Sequence, residues 1–137
     1  MKKIEFVPYQ TITLMQSAGG SHIPDTWVPP RQESLDTQGY NFGTLQVQMQ
    51  SLAPSGIGSL AWQFEVEHSE DNLNFQSLIS SQVRSPNETA SSGSVIVSVD
   101  ETKNITEFGR YLRPKVTTTV ANEQTFAVRV VLTLSQK

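Results

Sequence analysis

The chain contains no cysteine in its 137 residues, which excludes disulfide bonds, thiolate nucleophiles and cysteine-ligated zinc. Charged residues are also few: they make up 17% of the sequence, against about 25% in an ordinary globular domain. The polar surface must therefore be built mainly from Ser, Thr, Gln and Asn. The net charge of -3 and the scattered lysines and arginines argue against a nucleic-acid binder, which usually carries a basic stripe.

Long apolar runs are missing as well. No segment approaches the roughly 20 apolar residues of a membrane span, so we expect no contact with a membrane. The N-terminal sequence MKKIEFVPYQ is basic but lacks the apolar centre of a secretory signal. We therefore expect a single domain that is made and folded in a cytoplasm.

What is present is an alternation of apolar and polar residues with a period of two, which is typical of strands with one buried face. In the sequence LAWQFEVEH it places Trp62, Phe64 and Val66 on the buried face, and Glu65 and Glu67 toward solvent. No segment keeps the 3.6-residue period of a helix. The predicted strands are Lys3–Val7, Thr11–Met15, Thr44–Gln50, Leu60–His68, Phe75–Ser81, Ser94–Asp100, Tyr111–Val120 and Thr125–Leu134.

Three further strands are predicted to bury alternate residues in the same way. These buried residues are Leu45, Val47 and Met49; Val95, Val97 and Val99; and Phe126, Val128, Val130, Leu132 and Leu134.

About eight strands with turn-rich connections and little helix predict an all-β fold, an antiparallel β-sandwich. The long cross-connections favour a jelly roll over an immunoglobulin sandwich, whose Cys–Trp–Cys pattern is absent. Pro114 cannot donate to a strand ladder, so it predicts an edge strand or a bulge at that position. We divide the single domain into an N-terminal arm with a long, contact-forming loop at residues 1–33 and a β-sandwich at residues 34–137.

Reactive side chains are sparse. A Ser–His–acid triad would need one of the two histidines; we expect His68 to be partly buried at a strand end and His22 to be solvated in a loop. Glu65 and Glu67 share a face and could hold a surface cation, but a solvated acidic face is the simpler interpretation. Nucleophile-elbow and phosphate-binding glycine motifs are absent. We therefore predict no enzyme activity, no catalytic residue, no metal and no cofactor.

The segment DTWVPPRQ, Asp25–Gln32, is the most distinctive loop. It combines apolar side chains with two prolines, which make the chain stiff and extended. Two interpretations remain open: the loop contacts another protein chain, or Trp27 folds back and caps the sandwich. The candidate partner contacts are Trp27, Val28, Pro29, Pro30 and Arg31.

Aromatic rings on a β-sandwich can also stack against sugar rings, which makes a carbohydrate platform an alternative function. The candidates for such stacking are Trp27, Tyr40 and Tyr111. Trp62 is not one of them, because it lies on a predicted buried face.

The sequence EHSEDNLNF at residues 67–75 ends a strand, makes a compact turn predicted by Asp71 and Asn72, and reaches an aromatic residue. An arginine–aromatic segment, GRYLRPKV at residues 109–116, and a closing strand, TFAVRVVLTL, follow in that order. Together with the opening segment SLDTQGYNFGTLQVQM, this pattern resembles small jelly-roll cement, or decoration, proteins of tailed bacteriophages. The resemblance covers residue 34 to the C-terminus, and the N-terminal part matches no pattern of that family.

This resemblance implies a non-enzymatic virion protein that binds the outside of the phage head and stabilises the capsid. Its partners would be the major capsid protein and its own copies, as a dimer or trimer, with no nucleic acid and no membrane. It would be made in the host cytoplasm and located on the capsid exterior. A tail, fibre or baseplate component with a receptor-binding role and a carbohydrate-binding sandwich remain as alternatives, because fold does not determine function.

Overall fold

The computed structural model describes residues 1–15, 25–51, 58–60, 62–84, 88–90, 98–118 and 124–137. Within these ranges the regular structure is β-strand except for one short 3-10 turn, Arg31–Glu33. The strands in chain order are β1 (Lys2–Leu14), β2 (Thr26–Trp27), β3 (Leu35–Asp36), β4 (Phe42–Ser51), β5 (Gly58–Leu60), β6 (Trp62–Ser69), β7 (Gln76–Arg84), β8 (Glu88–Ala90), β9 (Ser98–Thr106), β10 (Tyr111–Thr118) and β11 (Gln124–Ser135).

Two antiparallel sheets contain most of these strands. Sheet A has the order β1–β11–β4–β9, and sheet B has the order β2–β10–β6–β7. Strand β3 also pairs with β10, on the same side as β2 but nearer the start of β10. Strands β5 and β8 form a separate two-stranded ribbon.

The strand pairs are nested along the chain, which is the jelly-roll arrangement. The first strand, β1, pairs with the last, β11; β2 and β3 pair with β10; β4 pairs with β9; and β6 pairs with β7. With β2 and β3 counted as one interrupted strand, eight strands make two sheets of four. The predicted fold, an antiparallel sandwich of jelly-roll type with about eight strands, is confirmed.

The core lies between the inner faces of the two sheets and follows the predicted alternation. In β4 and β11 every residue predicted to face inward is buried, and in β6 so are Trp62, Phe64 and Val66. The rings of Trp62 and Phe126 have centroids 6.0 Å apart, so sheet B packs directly on sheet A. Because fully burying one such apolar side chain contributes about 1.5–3 kcal/mol, this interface is the main source of stability.

The N-terminal segment is part of the sandwich. The two predicted strands Lys3–Val7 and Thr11–Met15 form one strand, β1, which pairs with β11 and buries Val7 and Leu14 completely. Within the predicted arm, residues 2–14 are thus an edge strand of sheet A, and residues 26–27 are an edge strand of sheet B.

Strand β9 is only partly where the sequence predicted it. The first half of the predicted strand Ser94–Asp100, including Val95 and Val97, lies outside the described residues. Val99 is half-buried against the core, and the strand continues to Thr106 and buries Ile105. Sequence reasoning missed this continuation because the segment ETKNIT contains a single apolar residue.

Pro114 lies in an interior strand, so the prediction of an edge strand is wrong for β10. The whole of β10 pairs with β6, while its other side pairs with β3 at Leu112 and with β2 at Val116. Pro114 falls between these two pairings, where the ladder on that side is interrupted. The interruption removes the need for the N–H group that proline lacks.

Strand β7 has a wide irregularity where it pairs with β6. Between the pairs made by Phe64 and Val66, four residues of β7, positions 79–82, face one residue of β6. Ser81 is fully buried in this bulge. Its Oγ accepts a hydrogen bond from the Val66 amide at 2.8 Å and donates one to the Leu78 carbonyl at 2.5 Å, so a hydroxyl replaces a missing strand partner.

Replacing Ser81 with Ala should destabilise the protein by about 1–3 kcal/mol, because the buried Val66 amide loses its acceptor. Urea denaturation measures this change in the free energy of unfolding. Ser80→Ala, at the exposed neighbouring position, is the matched control and should stay within about 0.5 kcal/mol of the wild type. Equal and small effects in both variants would show that the Ser81 hydroxyl does not stabilise the bulge.

Candidate functional site

The outer face of sheet A is polar and is built from rows of residues on neighbouring strands. Alternate residues of a strand share a face, and in β4 the outward residues include Gln46, Gln48 and Gln50. The register places Gln48 between Arg129 of β11 and Asp100 of β9. Amide groups therefore run along the middle of this face, with charged groups on either side.

Tyr9 reaches the same face through a bulge in β1. The register with β11 shifts between Val7 and Gln10, so that Pro8 and Tyr9 together face Arg129. Pro8 has no N–H group for the ladder, and a bulge bends the strand and turns a side chain in a new direction. Tyr9 is 73% exposed, an unusual environment for a large aromatic ring in the described parts of the chain.

A shallow groove of about 220 Å³ crosses sheet A at the level of this bulge. Ala127 of β11 lies in the groove between β1 and β4, and its short side chain leaves room above the sheet. The residues that line the groove come from all four strands of sheet A, so the groove crosses the whole sheet. At the normal strand spacing this is a width of about 14 Å. Its polar lining consists of Tyr9, Gln48, Gln50, Ser98, Asp100 and Arg129.

Neighbouring side chains hold the charged groups of the groove in place. The Gln48 amide donates a hydrogen bond to the Asp100 carboxylate at 3.3 Å. The Arg129 guanidinium donates to both carboxylate oxygens of Glu5, at 3.2 and 2.5 Å. These bonds from Arg129 lower the pKa of the Glu5 carboxyl, and Glu5 in turn raises the pKa of Arg129. Both groups therefore stay charged around neutral pH.

An exposed ring beside amide, hydroxyl and carboxylate groups is chemically suited to sugars. A sugar ring has an apolar face that can pack on an aromatic ring, and its hydroxyls both donate and accept hydrogen bonds. Sequence reasoning missed Tyr9, because the two apolar segments around it were read as separate strands. Pro8, which interrupts the ladder, was the one local signal for the bulge.

Glu65 and Glu67 point outward from the core as predicted, but the prediction that their face is solvated is wrong. They lie on the outer face of sheet B but are only 7% and 8% exposed. Glu65 accepts a hydrogen bond from Ser77 Oγ at 2.6 Å, and Glu67 accepts two from Arg113, at 3.1 and 2.7 Å. Lys115 Nζ lies between them, 3.7 Å from Glu65 and 3.8 Å from Glu67. Two cations thus balance two carboxylates.

His68 is half-buried near the end of β6, as predicted. Its Nδ1 accepts a hydrogen bond from the Gly109 amide at 2.9 Å, which ties β6 to the segment before β10. His22 lies outside the described residues. Among the residues that the structure describes, no three His, Asp or Glu side chains are grouped so as to hold a metal ion. No helix in those ranges is long and apolar enough to cross a membrane.

The predicted contact loop is divided between the core and the surface. Trp27 forms part of β2, pairs with β10 and packs half-buried against the core. Val28 and Pro30 are exposed, Pro29 is half-buried, and Arg31 begins the 3-10 turn. The packing of Trp27 agrees with the interpretation that it caps the sandwich, while a partner contact of this loop stays a prediction.

The three aromatic candidates for sugar stacking lie on different surfaces. Trp27 packs on the core from β2, and Tyr40 packs partly against the core where β3 connects to β4. Tyr111 lies on the outer face of sheet B, with the Arg110 guanidinium carbon 5.2 Å from its ring centre. These three rings therefore do not form one platform.

Two of the four segments that carry the family resemblance, residues 67–75 and 109–116, lie side by side. Strands β6 and β10 pair, and the Arg113 guanidinium carbon lies 4.1 Å from the centre of the Phe75 ring. In the predicted compact turn, which is confirmed, Asp71 Oδ1 accepts hydrogen bonds from the amides of Leu73 and Asn74 at 2.8 and 2.9 Å. One turn and one strand pair thus account physically for both motifs.

No protein-family model matches the chain, and no curated protein matches it. Five chains of known structure match. One of them is the CBM22-1 xylan-binding domain of Xyn10C from Paenibacillus barcinonensis, with 13% sequence identity over 99% of this chain and 94% of that chain and a TM-score of 0.46. So low a similarity does not bear on function, and the jelly-roll fold stands on the strand order itself.

The turn after β6 should lose stability in acid because of Asp71. Hydrogen bonds from the amides of Asn74 and Leu73, and then from the side chains of Ser69 and Asn74, lower the pKa of the Asp71 carboxyl far below its usual range. A carboxyl with a lowered folded-state pKa stabilises the fold above its unfolded pKa, about 3.9, and this contribution is lost as the pH falls further. We expect the free energy of unfolding in urea to fall as the pH drops below about 4.

Asp71→Asn provides the comparison, because Asn cannot titrate in this range. The free energy of unfolding of this variant should vary less with pH below about 4 than that of the wild type. The same pH dependence in both proteins would show that Asp71 does not contribute to acid sensitivity.

Proposed function

We propose that the protein binds polysaccharide chains in the groove across the outer face of sheet A and does not process them. The observation that carries this proposal is the Pro8–Tyr9 bulge, which places an exposed aromatic ring beside a groove lined with hydrogen-bonding groups. A ring in that position can pack on the apolar face of a sugar unit.

The polar groups of the groove supply the hydrogen bonds that would orient the sugar. Gln48 and Asp100 already bond to each other, so they hold their positions before a ligand arrives, which lowers the entropic cost of binding. Arg129 directs two of its donor nitrogens toward Glu5. A guanidinium has five N–H donors, so Arg129 keeps others for a ligand hydroxyl.

The shape of the groove favours an extended ligand over a single sugar. It is shallow and crosses four strands, a width of about 14 Å, so several units of a chain can contact it in turn. Each contact contributes little, and a chain that makes several at once gains affinity from the sum.

Tyr9→Ala should weaken polysaccharide binding about two- to twelvefold, since an aromatic stacking contact contributes roughly 0.5–1.5 kcal/mol. Affinity electrophoresis in gels containing soluble glucan, xylan, galactan or pectin would find a ligand, and calorimetry would measure the dissociation constant. Tyr111→Ala is the matched control, because Tyr111 is a half-exposed tyrosine on the outer face of the other sheet. Equal losses in the two variants, or no binding by the wild type, would contradict the proposal.

Ala127→Leu tests the groove itself rather than a single contact. The larger side chain should fill the space beside Gln50 and abolish binding, while the outward position leaves the core unchanged. Val131→Leu, on the same face of β11 but outside the groove, should bind like the wild type. Normal binding by Ala127→Leu would mean that the ligand lies elsewhere.

A second candidate function is capsid decoration, favoured by the family resemblance of residues 34–137 and by apolar side chains on one sheet edge. Strand β7 is an edge of sheet B; its Ile79 is 77% exposed, and Leu73 in the preceding turn is also exposed. Exposed apolar side chains of this kind suit contact with another protein. The partner would be the major capsid protein on the exterior of a virion, bound by a dimer or trimer of this chain.

Quantitative mass spectrometry of purified virus particles would measure how many copies of the protein each particle contains, and this copy number distinguishes the functions. Hundreds of copies per particle would support decoration of the whole shell, and a handful would support a tail, fibre or baseplate role. Ile79→Asp should then reduce the copy number, because a charge would enter an apolar contact. Absence of the protein from particles would exclude a virion role and leave the polysaccharide groove as the function.

A further inference from the structure

A second concave site, which shares no lining residue with the sheet A groove, lies where two loops meet. One loop joins β3 to β4 and the other joins β9 to β10, and together with Glu70 of the turn after β6 they line an open pocket of about 460 Å³. This volume falls within the range of small-ligand sites, about 300–1,000 Å³. The residues that line it include the aromatic Tyr40 and Phe108, which pack half-buried against the core, the acidic Asp36 and Glu70, and Arg110.

Both loops contain a non-glycine residue in the left-handed backbone region. Gln38 has a φ of 53° and Glu107 a φ of 58°, conformations that side chains with a Cβ rarely adopt. Such residues are held in place by their surroundings and occur often at ligand sites. The backbone at the pocket is therefore shaped at an energetic cost.

Hydrogen bonds and close packing fix the two loops against each other. The Thr37 amide donates to the Arg110 carbonyl at 2.7 Å, and the Tyr40 amide donates to the Thr37 carbonyl at 3.0 Å. A Cβ at Gly109 would lie 2.8 Å from the Ser69 backbone, so glycine allows the loop before β10 to approach the turn that follows β6. The pocket walls are thus in place before a ligand binds, which favours binding.

The pocket carries one negative charge that the protein does not neutralise. The Arg110 guanidinium pairs with Asp36, with Nη2 at 3.0 Å from Oδ2, and lowers the pKa of that carboxyl. Two carboxylates and one guanidinium line the site, which leaves a net charge of -1 on Glu70. Within the described part of the chain, the Glu70 carboxylate has neither a hydrogen-bond partner nor an ion-pair partner.

We propose that this loop-end pocket binds a primary ammonium group on an aliphatic stem. Glu70 supplies the opposite charge, and the aromatic lining from Tyr40 and Phe108 attracts a cation and packs against its apolar stem. An anionic ligand would be repelled by the two carboxylates of the pocket. The source of the group is either a lysine side chain of a partner protein or a free alkylamine, and this site does not depend on the polysaccharide groove.

A titration with n-butylammonium, followed by amide shifts in two-dimensional NMR spectra, tests the proposal. Saturable shifts are expected at the amides of Thr37, Gln38, Gly39, Gly109 and Arg110, which surround the pocket. The neutral and anionic analogues n-butanol and butyrate are the matched ligands and should cause no saturable shift. Shifts of equal size with n-butanol, or none with n-butylammonium, would overturn the proposal.

Two variants, each with one carboxylate replaced by a carboxamide, test whether Glu70 itself or the overall negative charge of the protein attracts the ammonium group. Glu70→Gln should weaken butylammonium binding by up to about fivefold, as expected for loss of one exposed ion-pair contact. Glu107→Gln removes a carboxylate from the loop before β10 that does not line the pocket, and should leave the affinity unchanged. Equal weakening in both variants would overturn the assignment of Glu70.

A peptide Gly-Lys-Gly distinguishes the two sources of the ammonium group. If the peptide binds more tightly than butylammonium at the same amides, a partner lysine is supported as the ligand. If the two bind equally, a free amine is supported. Failure of the peptide to bind while butylammonium binds would exclude the partner lysine.

Discussion

Sheet A depends on the pairing of β11, the last strand of the chain. Ten of its residues pair with β1 on one side and ten with β4 on the other, so the first and last strands close the fold together. The inward side chains of β11, from Phe126 to Leu134, fill the core. Its outward side chains include Ala127, which makes space for the groove. One strand therefore sets both the stability of the sandwich and the shape of its outer face.

Among the breaks in regular pairing that the described residues show, three have an identifiable physical cause. Pro8 widens β1 and turns Tyr9 outward, and Pro114 is tolerated because the opposite strand is interrupted. In β7 the Ser81 hydroxyl replaces a strand partner, while Ile79 in the same bulge is left exposed. Two of these three breaks place an exposed side chain, Tyr9 or Ile79, on the surface. The irregular positions therefore supply side chains that a regularly paired sheet would not expose.

Alternation in the sequence was sufficient to predict the strands β4, β6 and β11, because a buried face imposes a period of two. The number of strands and their long connections then predicted the jelly-roll class. Alternation shows which face a residue lies on, but not what covers that face. Glu65 and Glu67 illustrate the limit: they face outward as predicted, yet Arg113 and Lys115 from a strand far along the chain bury them.

The groove and the loop-end pocket were beyond sequence reasoning for a related reason. The groove joins residues from four strands, and the pocket joins loops that meet only after the strands have paired. Tyr40 was a candidate for binding, but Tyr9 and Phe108 were not, since a single aromatic residue in a segment such as VPYQ or TEFG is common in any strand or turn. Predicting which residues distant in sequence become neighbours in space requires the pairing register of the strands. That register depends on bulges, which single residues only suggest.

The segments that carry the family resemblance overlap the candidate sites, but the fold alone accounts for two of these segments. The motifs at residues 67–75 and 109–116 form one turn and one strand pair, in which Asp71 binds backbone amides and Arg113 lies against Phe75. Any jelly roll that makes this connection meets the same physical demands, so the motifs indicate fold more directly than they indicate function. Binding specificity must then come from surfaces outside this turn and strand pair. The sheet A groove is such a surface, because none of its lining residues belongs to the β6–β7 turn or to β10.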